Sequence, residues 1–566
     1  MILFNPGKPG ARYSDAKSKE LMGKVVGFFE RRGNDQLQKD YYAREWYTEF
    51  LDFVKDEQIF ATMCTPAGYG AEDSRWDTWR ICEFAEILGF YGLPYWYVWQ
   101  VSVLGLGPIW MSSNEAVKQR AAQALQEGGI FAFGLSEKTH GADIYATDMI
   151  ISKVGDGQYR ANGSKYYIGN GNRAAITSTF GRFSDSDEYL FFAAESTHPC
   201  YELVKNVVAS QNYVSEYKLN DYPLTDEDIL HRGQDAWNAA LNTVNIGKYN
   251  LGWASIGICT HAFYEAIHHA AHRKLYNMAV TDFPHVKRLF TDAFARLVAM
   301  KLFALRAADY LRTASSEDRR YLLFNPMTKM KVTTQGEEVI NLMWDVIAAK
   351  GFEKDMYFTQ AAVDIRALPK LEGTVHVNIA LIVKFMPNYF FNADASYSPV
   401  ATQDDPHNDD FLFKQGPARG LSKIRFHDWQ QAFDGFSQPN VVLFLEQARA
   451  FRGLLAKASP TPEQMKDIDF LLAGGEIFAL VVYAQLILEN ARILNINSDL
   501  LDQIFDCLVR DMSHFALELH NKPTSTEAQM AQCLKMVRKP VADAKRADRV
   551  WLEQVYSQRD AYEMAR

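Results

Sequence analysis

The chain has 566 residues, too many for one hydrophobic core, so roughly three or four domains are expected. Hydrophobic residues at 48% and aromatics at 13% exclude a disordered chain, and a formal net charge of −9 without a clustered basic excess argues against nucleic-acid binding. The six cysteines are scattered without metal-ligand spacing and read as reduced thiols of a cytoplasmic protein, with no metal site expected.

The N-terminus, Met1-Ile2-Leu3-Phe4-Asn5, lacks the basic and apolar blocks of a signal peptide. Residues 14–60 are helical in period, with a capping pattern opening at Ser14 and an apolar stripe of Phe28, Phe29, Phe50, Phe53 and Val54. Thr65-Pro66-Ala67-Gly68 breaks this pattern. Helices are predicted over 76–91 and 95–104, and Gly107-Pro108-Ile109 leads into a capped helix over 113–127. The stretch from Gly89 to Asn114 carries no charge, but its prolines, glycines, Gln100 and Ser102 make it a buried pair of core helices rather than a membrane span.

Residues 131–232 alternate in polarity and are rich in aromatic and β-branched residues and turns, which predicts a small antiparallel barrel or sandwich. Within it, Val154-Gly155-Asp156-Gly157 and Asn162-Gly163 are both read as turn signals. From Trp237 to Tyr389 the period is helical again. Residues 392–439 are polar, acidic and interrupted by proline, and read as a linker. Beyond it lie amphipathic helices, among them the apolar Ile477–Leu488 segment, which is too short to span a bilayer.

Three segments carry chemistry. Ser136-Glu137-Lys138-Thr139-His140-Gly141-Ala142-Asp143 follows a strand and offers hydroxyls and backbone N–H groups to a flat polar ligand. Asn162-Gly163-Ser164-Lys165-Tyr166-Tyr167-Ile168-Gly169-Asn170-Gly171 follows it, and Leu371-Glu372-Gly373-Thr374-Val375-His376 lies downstream of Asp364. Taken singly, a Glu-Gly-Thr tripeptide is a solvated turn. In this order and at these separations the three segments resemble the acyl-CoA dehydrogenase family. Lys248 and Arg273, 25 positions apart, match that family's interval between two arginines, with Lys248 in place of the first.

The resemblance implies a mainly α fold with a central small antiparallel β-barrel domain and an appended C-terminal helical bundle. Its divisions would be a helical domain over 1–130, the barrel over 131–236, a four-helix bundle over 237–391, the linker, and a C-terminal helical domain over 440–566. It implies FAD-dependent α,β-dehydrogenation of an acyl-CoA thioester in fatty-acid β-oxidation, with Glu372 as the base for the α-proton. The flavin contacts carried over are Phe133, Leu135, Ser136, Gly141, Tyr167, Gly169, Arg273, Gly351, Thr374 and His376, and the substrate contacts are Ala142, Asn245, Lys248 and Gly373. Gly169 replaces a Thr that bonds the flavin, His376 replaces a Gln, and Ala348 and Ala349 replace glycines at the adenine half. Trp96, Trp99 and Trp110 are either an acyl tunnel or plain core. A homo-oligomer passing electrons to an electron-transferring flavoprotein is implied. The alternatives are an oxidase that uses O2 and a relative that binds flavin or acyl-CoA without dehydrogenating it.

Overall fold

The computed structural model describes residues 2–13, 15–141, 143–416 and 420–566. The chain forms two compact units: Pro9–Asn250 with Asp404–Arg419 and Ala565–Arg566, and Leu251–Gln403 with Met1–Lys8 and Gly420–Met564.

The first unit begins with helices α1 (Ala16–Ala43), α2 (Thr48–Asp56), α3 (Ile59–Cys64), α4 (Thr78–Tyr91), α5 (Leu93–Met111) and α6 (Glu115–Gln126). Ser14 lies outside the described residues; the cap of α1 is Asp15, whose side chain accepts from Lys17 N. The predicted aromatic stripe packs as expected, with Phe28 stacked on Phe53 at 4.7 Å and Phe29 on Tyr91 at 4.6 Å. Helix α5 runs on through Pro108 to Met111, past the predicted stop at 104. Its glycines serve packing rather than termination: a Cβ at Gly105 would lie 2.6 Å from Ala132 N, and one at Gly107 2.6 Å from Thr243 Oγ1. Trp96 and Trp99 are fully buried and Trp110 nearly so, as core.

Strands β1 (Ile130–Gly134), β2 (Ile150–Gly155), β3 (Gln158–Gly169), β4 (Ala174–Phe183), β5 (Tyr189–Ala194), β6 (Tyr201–Asn206), β7 (Val214–Thr225) and β8 (Ile229–Arg232) form one sheet. Its order is β6-β7-β3-β2-β4-β5-β8, with β1 also on β4. Strands β1 and β2 run parallel to β4, so the sheet is mixed, not antiparallel. No pairing among the described residues joins β6 to β8 into a closed barrel. A period of two is the same for both strand directions, so alternation could not tell them apart. The Gly155-Asp156-Gly157 turn forms as predicted between β2 and β3, but Asn162-Gly163 does not turn. It lies inside β3 beside a register shift against β7, where a Cβ on Gly163 would meet Met149 Cα at 2.8 Å.

Helix α7 (Gly233–His272) supplies residues to both units. The second unit continues with α8 (Pro284–Arg312), α9 (Tyr321–Met327), α10 (Thr333–Ile347), α11 (Tyr357–Asp364), α12 (Val375–Ile382), α13 (Met386–Phe391), α14 (Pro439–Lys457), α15 (Ile468–Ile493) and α16 (Ser498–His520). Helix α15 is longer than the apolar segment read from sequence and, by length and composition, sufficient to cross a membrane. Most of its apolar window is buried, and it packs against α8 and α16.

A buried polar cluster joins α8 and α15 to residues from the predicted linker. Glu489 accepts from Arg306 Nε (2.8 Å), Tyr310 OH (3.0 Å) and Gln485 Nε2 (2.8 Å), and His427 Nε2 lies 3.2 Å away. Arg320 Nη1 approaches His427 Nδ1 at 2.8 Å, and Gln485 Nε2 approaches His427 Nε2 at 3.0 Å. Burial opposes ionisation of Glu489, but the His427 hydrogen bond and the Arg306 charge outweigh it and lower its pKa to about 2. A carboxylate with a depressed folded-state pKa contributes stability that is full above the unfolded value, near 4.5, and is lost as pH falls toward 2. Glu489→Gln should therefore flatten the acid limb of stability, measured by urea unfolding between pH 6 and about 3; an acid limb as steep as that of the parent protein would remove Glu489 from this role.

Candidate functional site

The sequence-predicted residues fall into two groups, one in each unit. In the first, the loop leaving β1 is fastened to β3 by two residues from the two predicted segments. Lys165 Nζ lies 2.6 Å from Glu137 Oε1 and 3.1 Å from Leu135 O, with both side chains buried. Glu137 also accepts from Thr147 Oγ1 (2.6 Å) and Asp148 N (2.7 Å). Burial alone would raise the Glu137 carboxyl, but the charge and hydrogen bond of Lys165 hold it below its ordinary value, as a carboxylate. Ser136 O accepts from Tyr166 N at 3.0 Å, which sets Phe133, Leu135 and Ser136 beside the Tyr166–Gly169 end of β3. Asn170, the last polar residue of that segment, donates to Val98 O, Ser102 Oγ and Phe131 O at 2.9–3.1 Å and so ties α5 to β1.

Tyr167 has φ 62° and is 63% exposed. Phe133 is half-buried and stacks on Phe191 at 5.8 Å; Leu135 and Ser136 are half-buried and Gly141 exposed. Gly169 has no room for the hydroxyl side chain of the resembling proteins: a Cβ there would lie 2.7 Å from Tyr97 and Val101 of α5. Asn245 is half-buried and Lys248 buried, on α7. Ala142 lies outside the described residues.

In the second unit, Glu372 is half-buried at φ 51°, followed by Gly373 at φ 92°. Two consecutive residues in the left-handed region turn the chain sharply before α12, whose N-cap is Thr374, accepting from Val377 N. Lys329 holds this turn from below, donating to Pro369 O at 2.7 Å and also to Gly373 O. Asn378 Nδ2 donates to Gly373 O (3.1 Å) and Thr374 O (2.9 Å). Sequence reading missed Lys329. Its signal was a Lys329-Met330-Lys331 run inside an otherwise apolar helical stretch, and both lysines are buried. They sit in a single π-turn, Thr328–Val332, between α9 and α10.

His376 and Arg273 are exposed, and Gly351 is buried beside Trp344, Ile347 and Phe358. Ala348 has φ 52° and ψ −133°, so the backbone keeps a glycine conformation after the glycine has gone. Ala348→Gly should stabilise the protein by about 1 kcal/mol, because relief of strain exceeds the added entropy of the unfolded chain. Chemical denaturation reads this directly, and a less stable variant would show that Ala348 is not strained.

Helices before and after one mixed sheet along the chain give an acyl-CoA dehydrogenase type of fold. Residues 235–386 match the family model described as "Acyl-CoA dehydrogenase, C-terminal domain". The short-chain acyl-CoA dehydrogenase of Megasphaera elsdenii is 23% identical over 279 residues, 48% of this chain and 72% of that protein. The mitochondrial very long-chain enzyme of Rattus norvegicus is 22% identical over 383 residues, 63% of this chain and 55% of that protein. A solved Bacillus anthracis acyl-CoA dehydrogenase, complexed with FAD, superposes with a TM-score of 0.76 at 15% identity, over 98% of this chain and 97% of that one. Residues 235–386 thus match that family's C-terminal domain, and the chain shares the fold of the solved structure over nearly its whole length, with further helices beyond the matched region.

Proposed function

We propose that this protein binds FAD and removes the α and β hydrogens of an acyl-CoA thioester, with Glu372 taking the α-proton. The observation that carries the reading is the turn at 372–373, held by Lys329 and Asn378 and set just before α12. The residues offered to FAD fit a flat aromatic group: an exposed Tyr167 ring beside the half-buried ends of Phe133, Leu135 and Ser136, with backbone alone available at Gly169. Thr374, His376, Gly351 and Gly141 are the remaining contacts in this reading, and Arg273 is the cation for the pyrophosphate. Bound FAD supplies the acceptor for the hydride that leaves the β-carbon.

The work of the chain is then to place and deprotonate the substrate. A carboxylate can remove a weakly acidic α-proton only when water is kept away and the geometry is fixed. Lys329 and Asn378 provide that fixity by bonding backbone carbonyls on either side of Glu372. The backbone N–H of Glu372 is the donor assigned to the thioester oxygen. Asn245, Lys248 and Gly373, with Ala142, are the substrate contacts of this reading.

Anaerobic titration of the purified flavoprotein with a panel of acyl-CoAs tests it. Loss of the oxidised flavin band with at least one thioester is expected, and a band unchanged by every thioester that binds would overturn it. Transfer of electrons to an electron-transferring flavoprotein, rather than steady H2O2 release in air, is the expected fate of the reduced protein.

A further inference from the structure

Helix α7 ends with two histidines one turn apart, His268 and His272, whose rings are tilted by 35° with centroids 4.3 Å from each other. Asp560 and Glu563, near the C-terminus, face them within the same unit. Each ring has its Nδ1 against a backbone carbonyl: His268 with Arg559 O at 3.1 Å, and His272 with His268 O at 2.9 Å. A carbonyl only accepts, so both Nδ1 atoms carry the proton and each Nε2 is left to present a lone pair. Metal-binding histidines are oriented in this way by a second hydrogen bond.

The Nε2 atoms point at carboxylates. His268 Nε2 is 3.7 Å from Glu563 Oε2 and His272 Nε2 is 3.6 Å from Asp560 Oδ1, while His268 Nδ1 also lies 3.6 Å from that same Asp560 oxygen. Arg559 Nε occupies the other oxygen, Asp560 Oδ2, at 3.3 Å. These separations exceed a hydrogen bond. They lie at or just beyond the edge of a coordination tetrahedron, about 3.3–3.6 Å when ligands stand about 2.0–2.2 Å from one ion. His268, His272 and Asp560 each offer a ligand atom, all within 4.8 Å of one another.

We propose that His268, His272 and Asp560 bind one divalent first-row metal ion, of which Zn2+ is the probe. Two imidazole nitrogens and a carboxylate oxygen suit Zn2+ and its neighbours, whereas Mg2+ and Ca2+ prefer all-oxygen sites. The ion would clamp residues 559–563 to the end of α7. It is a structural site, separate from the proposed chemistry at Glu372, and its test does not depend on that reading.

The test uses the tag-free full-length flavoprotein, stripped with chelator and dialysed against Zn2+ alone, with elemental analysis of both chambers. One saturable Zn2+ per chain is expected, displaced by Co2+ but not by Mg2+ or Ca2+. His272→Gln and His268→Gln should each weaken binding at least as much as losing an outer partner of such a ligand, about 10–100-fold. Both exposed-face variants should keep their flavin and helix content, and only the parent protein should melt at higher temperature with Zn2+ added. No saturable site, or a site that both variants leave unchanged, overturns the proposal, and so does Mg2+ competing on equal terms.

Discussion

Glu372→Gln is expected to abolish flavin bleaching by acyl-CoA while leaving thioester binding intact. Glutamine keeps the shape of the side chain and cannot take a proton, so the loss should be at least the 10²–10⁴-fold, roughly, that general base catalysis contributes. The fold should tolerate the change: Lys329 and Asn378 bond the backbone carbonyls of the turn, and Thr374 still caps α12. Binding is followed anaerobically by the shift that a bound thioester imposes on the oxidised flavin band, and reduction by its decay. A variant that shifts the band and then bleaches at the parent rate would sink the assignment of the base. One that neither shifts nor bleaches, with unchanged melting, would instead place Glu372 in binding.

Lys165→Met should be the most destabilising single change in the first unit. The Lys165–Glu137 pair is buried on both sides, and Glu137 keeps two further hydrogen bonds that favour its charged form. Removing the cation alone leaves a buried carboxylate uncompensated, at a cost of about 3–5 kcal/mol. Adding Glu137→Gln to the same chain should recover much of that loss, because a neutral amide no longer needs the cation. Urea unfolding of the four members of this cycle measures the coupling. A Lys165→Met loss below about 1 kcal/mol, or no recovery in the double variant, would mean that the pair does not fasten the loop after β1.

The order of the elements was legible because hydrophobic period changes from helical to alternating and back along the chain. The β2–β3 turn was legible because the glycines of Gly155-Asp156-Gly157 reach the positive φ of a tight turn at little steric cost, as Gly157 does at φ 62°. Asn162-Gly163 carried an equally strong signal and became a bulge inside β3, since pairing with β7 and the close approach of Met149 overrode the local preference. Pro108 misled in the same way, because close packing on Gly105 and Gly107 sustains α5 beyond the break that local rules predict.

For the candidate site, the sequence identified Glu372, Tyr167 and the two segments around Glu137 and Lys165, since residue type and spacing along one chain suffice for that. It gave no hint that Glu137 and Lys165 bond each other, that Lys329 supports the turn at 372–373 from 43 positions upstream, or that Ala348 keeps a glycine backbone. Nor could it bring His268 and His272 to Asp560 across nearly 300 residues. Local pattern fixes which groups are present and which element carries them. Which of them meet is decided by burial of the whole surface at once, a long-range outcome that leaves no period in the chain.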